Sequence, residues 1–238
     1  MYWLMMQDDI TLLREFAERD SEEAFAAIVS RYINLVFSTA LRHVRDFHLA
    51  QEVTQAVFII LAQKAGSLNS KTILSGWLCR TARNASANAL KIQRRRQDRE
   101  KQYMETTQSH SDEAETDVWR QIEPLLDSAM SELGRTDHDA VVMRFFEGMS
   151  FKDVSAVLET SEAGAKMRLN RALEKMRKFF CKRGIVLSAT AIAGAVAANS
   201  VQSAPVGLTT SITVGVVKGI SVTASTLTIL KSTLEVMA

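Results

Sequence analysis

Apolar residues recur at helical spacing along almost the whole chain. Phe25, Ile28, Val29, Tyr32, Leu35 and Val36 form one stripe; Ala50, Val53, Val57, Ile60 and Leu61 form a second. A third runs Ile73, Trp77, Leu78, Thr81, Ala82, Ala85, Ala89 and Ile92. Many-stranded sandwiches and barrels need turn residues every ~8–12 positions. This chain has two prolines and ten glycines in 238 residues, so the fold class is all-α. The periods predict helices over 8–19, 20–44, 47–65 and 73–97, packed as one N-terminal bundle. Asp20 is the expected N-cap of the second and Gly66 a stop signal after the third.

From about residue 98 the apolar period is lost, and the chain turns polar, acidic and rich in Ser and Thr, the pattern of a flexible linker. The period resumes with Ile122, Leu125, Leu126, Ala129 and Leu133, with Pro124 expected at the start or early turn of that helix. Thr136 is the expected cap of a helix running to about Glu147, closed by Gly148. Ser150 and Asp153 imitate a capping box for a helix over 151–158, and Ser161 caps a last helix to about Arg183. Helix, tight turn and basic helix in that order predict a helix-turn-helix without the usual turn glycine. The expected division is 1–97, a bundle; 98–118, an acidic linker; 119–183, a helix-turn-helix domain; and 184–238, an apolar helical tail.

The net charge of +2 hides two concentrated basic blocks. Residues 73–96 carry Arg80, Arg83, Lys91, Arg94, Arg95 and Arg96 with no acid, and 161–184 carries eight basic residues against two acidic. Two such blocks, each ending its own helical unit, favour a polyanion met at two points. On the last helix Arg168, Arg171, Lys175, Lys178 and Lys182 fall within an arc of about 80°. Ala165, Leu169, Ala172, Leu173, Met176 and Phe180 occupy a separate apolar arc. One face packs while the other meets phosphates and base edges, a geometry suited to a major groove.

Catalysis has little support. His43, His48, His110 and His138 show no metal-ligand spacing with one another or with Cys79 and Cys181, so no metal site is expected. No phosphate-cradling glycine loop or nucleophile elbow occurs, and no catalytic residue or cofactor is assigned. Two distant cysteines and no secretory h-region at the start fit a reducing interior.

The residues so placed resemble the bacterial sigma factors of the extracytoplasmic-function type, a compact class of the sigma-70 family. Four stretches carry the resemblance over about residues 9–183. LLREFAERDSEEAFAAIVSRYINLV at 12–36 is similar to the family's opening helices. DFHLAQEVTQAVFIIL at 46–61 is similar to the segment that docks on the polymerase clamp helices, with Ala56 where many members have Glu. GWLCRTARN at 76–84 and its following basic run resemble the helix that melts and reads the promoter −10 element. LETSEAGAKMRLNRA at 158–172 resembles the −35 recognition unit, with Glu159 in place of a frequent Gly. The resemblance implies a non-enzymatic specificity subunit of RNA polymerase that works in the cytoplasm, on the nucleoid. Asp46, Gln51, Glu52 and Gln55 are then the polymerase-docking candidates. Arg80, Arg83, Asn84, Asn88, Lys91, Arg94, Arg95 and Arg96 are the −10 candidates, with the loop 66–72 as a place for an unstacked base. Trp77 is expected in the core rather than as a stacking platform. Ser161, Lys166, Arg168, Arg171 and Lys175 are the −35 candidates. Expected partners are core polymerase, duplex promoter DNA and the melted −10 strand, with an anti-sigma protein as a further candidate.

Two other classes stay open. A stand-alone helix-turn-helix regulator leaves the first bundle without a role, and a membrane-associated adaptor reduces both basic blocks to lipid contacts. The tail decides little by sequence. Residues 184–217 contain no charge, and 185–198 is a run of 14 apolar or small residues, short of the ~20 that span a bilayer. One expectation is a tether to the inner face of the cytoplasmic membrane through 185–203. A second is a cover of short helices, interrupted near Pro205 and Gly219, folded on each other or on the preceding units, and a third is a disordered tail.

Overall fold

A computed structural model describes residues 2–100, 117–217 and 223–237, with side chains described over 9–95, 118–217 and 223–235. Four long helices come first: α1 (Tyr2–Arg19), α2 (Glu22–Val44), α3 (Phe47–Lys64) and α4 (Leu74–Glu100). Then follow α5 (Asp117–Ser131), α6 (Arg135–Val141), a π-helical turn (Val142–Phe146), α7 (Phe151–Val157) and α8 (Glu162–Cys181). The tail adds α9 (Ala189–Asn199), α10 (Leu208–Val217) and α11 (Ala224–Met237). The described residues contain no strand. The expected linker lies largely outside them; α4 continues to Glu100 rather than ending at 97.

The first three stripes lie where the periods place them. Phe25, Ile28, Val29, Val36, Val53, Val57, Leu61, Leu78 and Ala82 are fully buried between α2, α3 and α4. Local chemistry fixes the helix ends. Ser21, not Asp20, caps α2, its Oγ accepting the Ala24 N–H at 3.2 Å. Asp20 sits at φ 52° and ends α1 through its N–H to the Phe16 carbonyl. An Asx residue tolerates the left-handed region, which frees Ser21 to make the cap. Arg45 closes α2 in the same left-handed conformation, and the Asp46 carboxylate caps α3 by accepting from Leu49 N–H at 2.8 Å.

The second unit packs Trp119, Ile122, Leu126 and Ala129 of α5 against the apolar arc of α8. Pro124 lies inside α5, not at its start. Its missing N–H leaves the Arg120 carbonyl without a helical donor, and both residues face solvent. Thr136 does not cap α6; Gly134 occupies that position in extended conformation without a side-chain bond. The helix expected to reach Glu147 instead loosens into the π turn after Val141. There Arg144 turns its guanidinium to the Met149 carbonyl at 2.9 Å, and its charge sits 4.9 Å over the Phe151 ring.

The core does not divide between units. Residues of α1–α6, α8 and the tail form one contiguous apolar cluster, joined from the tail by Ile192, Val196, Leu208, Ile212 and Ile229, while Met143, Met149, Val154 and Ala165 make a second, small cluster between α7 and α8. Full burial of each such side chain contributes about 1.5–3 kcal/mol. The eleven-residue α9 packs on α5, α8 and the π turn, α10 on α2 and α3, and α11 on α3 and α4. The break at Pro205 falls between α9 and α10 as expected; Gly219 lies outside the described residues. Among the described residues one helix is long and apolar enough to cross a membrane, and it is α2, the centre of the core.

Candidate nucleic-acid interface

The helix-turn-helix is formed by α7 and α8. Ser150 Oγ accepts the Asp153 N–H at 3.1 Å and donates to the Asp153 carboxylate at 2.6 Å, so the expected box closes through the hydroxyl. The turn places Glu159 at φ 49°, the conformation for which glycine is usual, and the chain makes it without one. Ser161 Oγ caps α8, accepting the Gly164 N–H at 3.1 Å. Gly164 fits closely there: an added Cβ would sit 2.5 Å from Thr160 Oγ1, and the Thr160 hydroxyl would have to turn away.

The two arcs of α8 are separated as expected: Ala165, Leu169, Ala172, Met176 and Phe180 are buried, while Lys166, Arg171 and Lys175 are exposed. Asp137 of α6 gathers two of the cations, with Lys175 Nζ at 2.7 Å and Arg168 Nη1 at 3.1 Å. Burial pushes the Asp137 carboxyl upward, but Lys175 and then Arg168 outweigh it and hold the group below the usual range. The Lys166 ammonium lies 5.3 Å over the Phe151 ring. Arg171 and Lys166 are exposed, while Arg168 and Lys175 are held by Asp137.

The second basic face is on α4. Arg80 pairs with the buried carboxylate of Asp139, with His138 Nδ1 at 3.4 Å. Gly76 makes this approach possible, because a Cβ there would come 2.7 Å from Asp139 Cγ. Beside the pair a cavity of about 450 Å³ is lined by half-buried Trp77, Arg80, Arg83 and Asn84 and, across it, Arg135 and Asp127. Trp77 is therefore part core and part wall. Further along α4, Asn88 Nδ2 donates to Thr233 Oγ1 of α11 at 3.2 Å. Lys91, Arg94 and Arg95 are exposed around a shallow hollow shared with His43; the Arg96 side chain lies outside the described set. The loop before α4 is a tight turn in which Asn69 Oδ1 accepts the Lys71 N–H at 2.9 Å, with Asn69, Ser70 and Lys71 exposed.

The docking candidates on α3 are occupied from within the chain. Asp46 caps its own helix. The Glu52 carboxylate accepts from Ser225 Oγ at 2.6 Å and Thr223 Oγ1 at 3.3 Å. Gln51 and Gln55 are half-buried, and Gln55 Nε2 lies 3.7 Å from where a Cβ on Gly215 of α10 would stand.

Sequence reasoning missed the residues that hold these units together. Asn34, Ser38 and Arg42 form a row on α2 that binds the extended segment after α9. Asn34 Oδ1 accepts the Ala204 N–H at 2.8 Å, Ser38 Oγ accepts the Gln202 N–H at 2.6 Å, and Arg42 donates to the Ser200 carbonyl. Arg42 also lies 3.9 Å from Asp127 of α5 and 5.3 Å from the Phe146 ring centre, so one side chain bridges three parts of the molecule. Polar residues at spacing four on an otherwise apolar helix were the available signal. Near the start of the chain Asp9 pairs with Arg31 and accepts from Tyr32 OH at 2.5 Å. Burial, with the Asp9 charge adding to it, pushes Glu147 up to about 7 against a hydrogen bond from Ser75. Burial also raises the Cys79 thiol to about 12, while Cys181 is exposed. Among the described residues no His, Cys, Asp and Glu cluster has metal-site geometry.

An all-α chain with a basic helix-turn-helix and a second basic helix has the features of a DNA-binding transcription factor. Residues 28–96 match sigma-70 region 2, and residues 124–176 match sigma-70 region 4. Curated relatives include RNA polymerase sigma factor CarQ of Myxococcus xanthus, 28% identical over 66% of this chain and 90% of the relative. The RNA polymerase sigma-H factor of Pseudomonas aeruginosa is 26% identical over 74% of this chain and 95% of its own length. The ECF RNA polymerase sigma-E factor of Haemophilus influenzae is 25% identical over 68% and 90%. The chain belongs to the sigma-70 family, among its extracytoplasmic-function sigma factors, which recognise promoters to initiate transcription.

Proposed function

We propose that three faces divide the work of this sigma factor. The polar face of α3, with Gln51, Glu52 and Gln55, docks on core polymerase, and Asp46 fixes the start of that helix. On α4, Arg80, Arg83, Lys91 and Arg94–Arg96 bind phosphates, while Asn84 and Asn88 read bases of the opened −10 strand. On α8, Lys166, Arg168 and Arg171 enter the −35 groove, Lys175 holds the backbone, and the start of the helix behind Ser161 faces phosphate. Residues 1–97 and 119–183 are the corresponding functional units, joined through 98–118, with 184–238 as an appendage. The polymerase performs the chemistry, so the chain acts as a specificity subunit and not as an enzyme.

The observation that carries this reading is the separation of basic and buried arcs on α8, repeated by a second basic helix within the region 2 match. For the tail we favour a cover over a membrane tether, because Ile192, Val196, Ile212 and Ile229 are turned into the protein. A separate anti-sigma protein would have to compete with that cover for the same face of α3. The test is transcription by purified core polymerase on a library of promoter fragments. Initiation at a defined −35/−10 pair only when the chain is present supports the reading. DNA binding with no initiation would favour the stand-alone regulator, and recovery of the chain with membrane vesicles would favour the adaptor.

A further inference from the structure

We propose that α10 and α11 form a built-in competitor of RNA polymerase, seated on the surface through which the sigma units engage it. The inference rests on the docking and −10 roles proposed above. Its observations are the contacts themselves. Glu52 of α3 is hydrogen-bonded by Ser225 and Thr223, and Asn88 of α4 by Thr233. Gly215 of α10 lies against Gln55. The segment from Thr223 to Thr233 therefore meets one residue of the docking set and one of the −10 set at once.

The interface has the chemistry of a releasable cover. Its buried apolar anchors are few: Leu208 and Ile212 on α10, and Ile229 and Leu230 on α11. Around them stand the buried hydroxyls of Thr213, Thr226 and Thr233. Two of these satisfy their own helices, Thr213 bonding the Thr209 carbonyl and Thr233 the Ile229 carbonyl, so they leave no orphaned polar group when the helix departs. Lys231 and Glu235 are the tail charges among the described side chains, so little desolvated charge holds it down. The segment 200–204, tied to Asn34, Ser38 and Arg42, keeps the cover attached beside its site and raises its effective concentration there.

Size makes the same point. A folded chain of 238 residues has a radius of gyration near 18 Å and a width on the order of 45 Å. Elements centred at −35 and −10 are separated by on the order of 85 Å of duplex at 3.4 Å per base pair. With Arg80 locked to Asp139 and the tail over α3, the closed form cannot read both. A protein whose competent form is a minor population binds with an affinity reduced by that fraction.

The test uses full-length protein and core polymerase. Ser225→Glu sets a carboxylate against that of Glu52 and leaves every sigma-face residue intact. Ile229→Asp removes the buried anchor of α11. Ser225→Ala is the conservative control. Affinity for core polymerase is measured by fluorescence titration, with hydrogen exchange of the α11 amides as the readout of release. The expected result is faster exchange in α11 and at least tenfold tighter polymerase binding in both acidic variants, with the control close to the parent. Polymerase binding that is equal in all forms while α11 exchanges freely, or an α11 that stays protected in both acidic variants, overturns the cover and leaves the sigma assignment standing. Absence of polymerase binding in every form overturns the docking assignment, and the cover with it.

Discussion

Replacing Arg42 by Ala should open the molecule at the junction of its three parts. The side chain is 4% exposed, donates to the Ser200 carbonyl and to Thr39 Oγ1 at 3.2 Å, and lies 3.9 Å from Asp127. A hydrogen bond from a charged donor contributes roughly 1.5–3 kcal/mol, and Arg42 makes two of them, to Ser200 and Thr39. The Asp127 contact is long and Asp127 keeps His43 Nδ1 at 3.6 Å, so it adds little, and Arg42→Ala should cost about 3 kcal/mol. At about 1.4 kcal/mol per factor of ten, the local opening equilibrium rises by about a hundredfold. The amides of Gln202 and Ala204, held by Ser38 and Asn34, report it directly in hydrogen exchange. They should exchange about a hundredfold faster, while the buried amides of α2 and α3 change far less. Asp127→Asn combined with Arg42→Ala should cost less than the two single changes added together. Unchanged exchange at 202 and 204 would refute the junction, as would an equal rise throughout α2–α4.

Other consequences are as direct. Glu147 has a folded value near 7 against an ordinary 4.5, so the closed form keeps its proton longer than the open chain. That contribution is complete below about pH 4.5 and is lost as pH rises to 7, at most on the order of 3 kcal/mol by linkage. Urea midpoints should fall across this interval, and Glu147→Gln should flatten the profile. Arg171→Ala and Arg168→Ala should each weaken −35 binding by about 1–3 kcal/mol if they touch a base edge, measured on promoter and scrambled duplexes. Changing Arg94 and Arg95 should instead weaken all sequences alike and flatten the salt dependence of binding. Cys181 should alkylate in the native protein, and Cys79, buried with its thiol raised to about 12, only on unfolding.

Much of this architecture is legible in the sequence because burial on a helix repeats at a fixed period. The stripe from Phe25 to Val36 and the two arcs of α8 needed only spacing and residue type. Helix ends were less legible, because neighbouring polar residues compete: Asp20 and Ser21 are both good caps, and only the left-handed turn at Asp20 decides between them. Pro124 suggests a helix start, yet on a solvated face its missing donor is tolerated mid-helix. The π turn at Val142–Phe146 has no periodic signature, and its Arg144 finds its partners, Met149 and Phe151, only across the following loop. The basic candidates were legible as charge, but their present partners were not. Asp137 and Asp139 lie far from α8 and α4 in sequence or on another element, and the Glu52 contacts cross more than a hundred residues. The tail was the least legible part. Its short Ser- and Thr-rich helices carry too little amphipathic contrast to show which face turns inward, and only the surface of α2, α3 and α4 supplies it.

The separation of α4 and α8 in a working complex is the observable on which the assignment turns. Donor and acceptor dyes on Ala87→Cys and Asn170→Cys, both exposed positions, with Cys181→Ser to remove the native reactive thiol, report that distance. In free protein it should stay within the width of one closed body, on the order of 45 Å. With core polymerase and promoter DNA, in complexes that go on to synthesise RNA, it should lengthen well beyond that width as the two helices reach their separate elements. Productive initiation with the short distance retained would contradict the account.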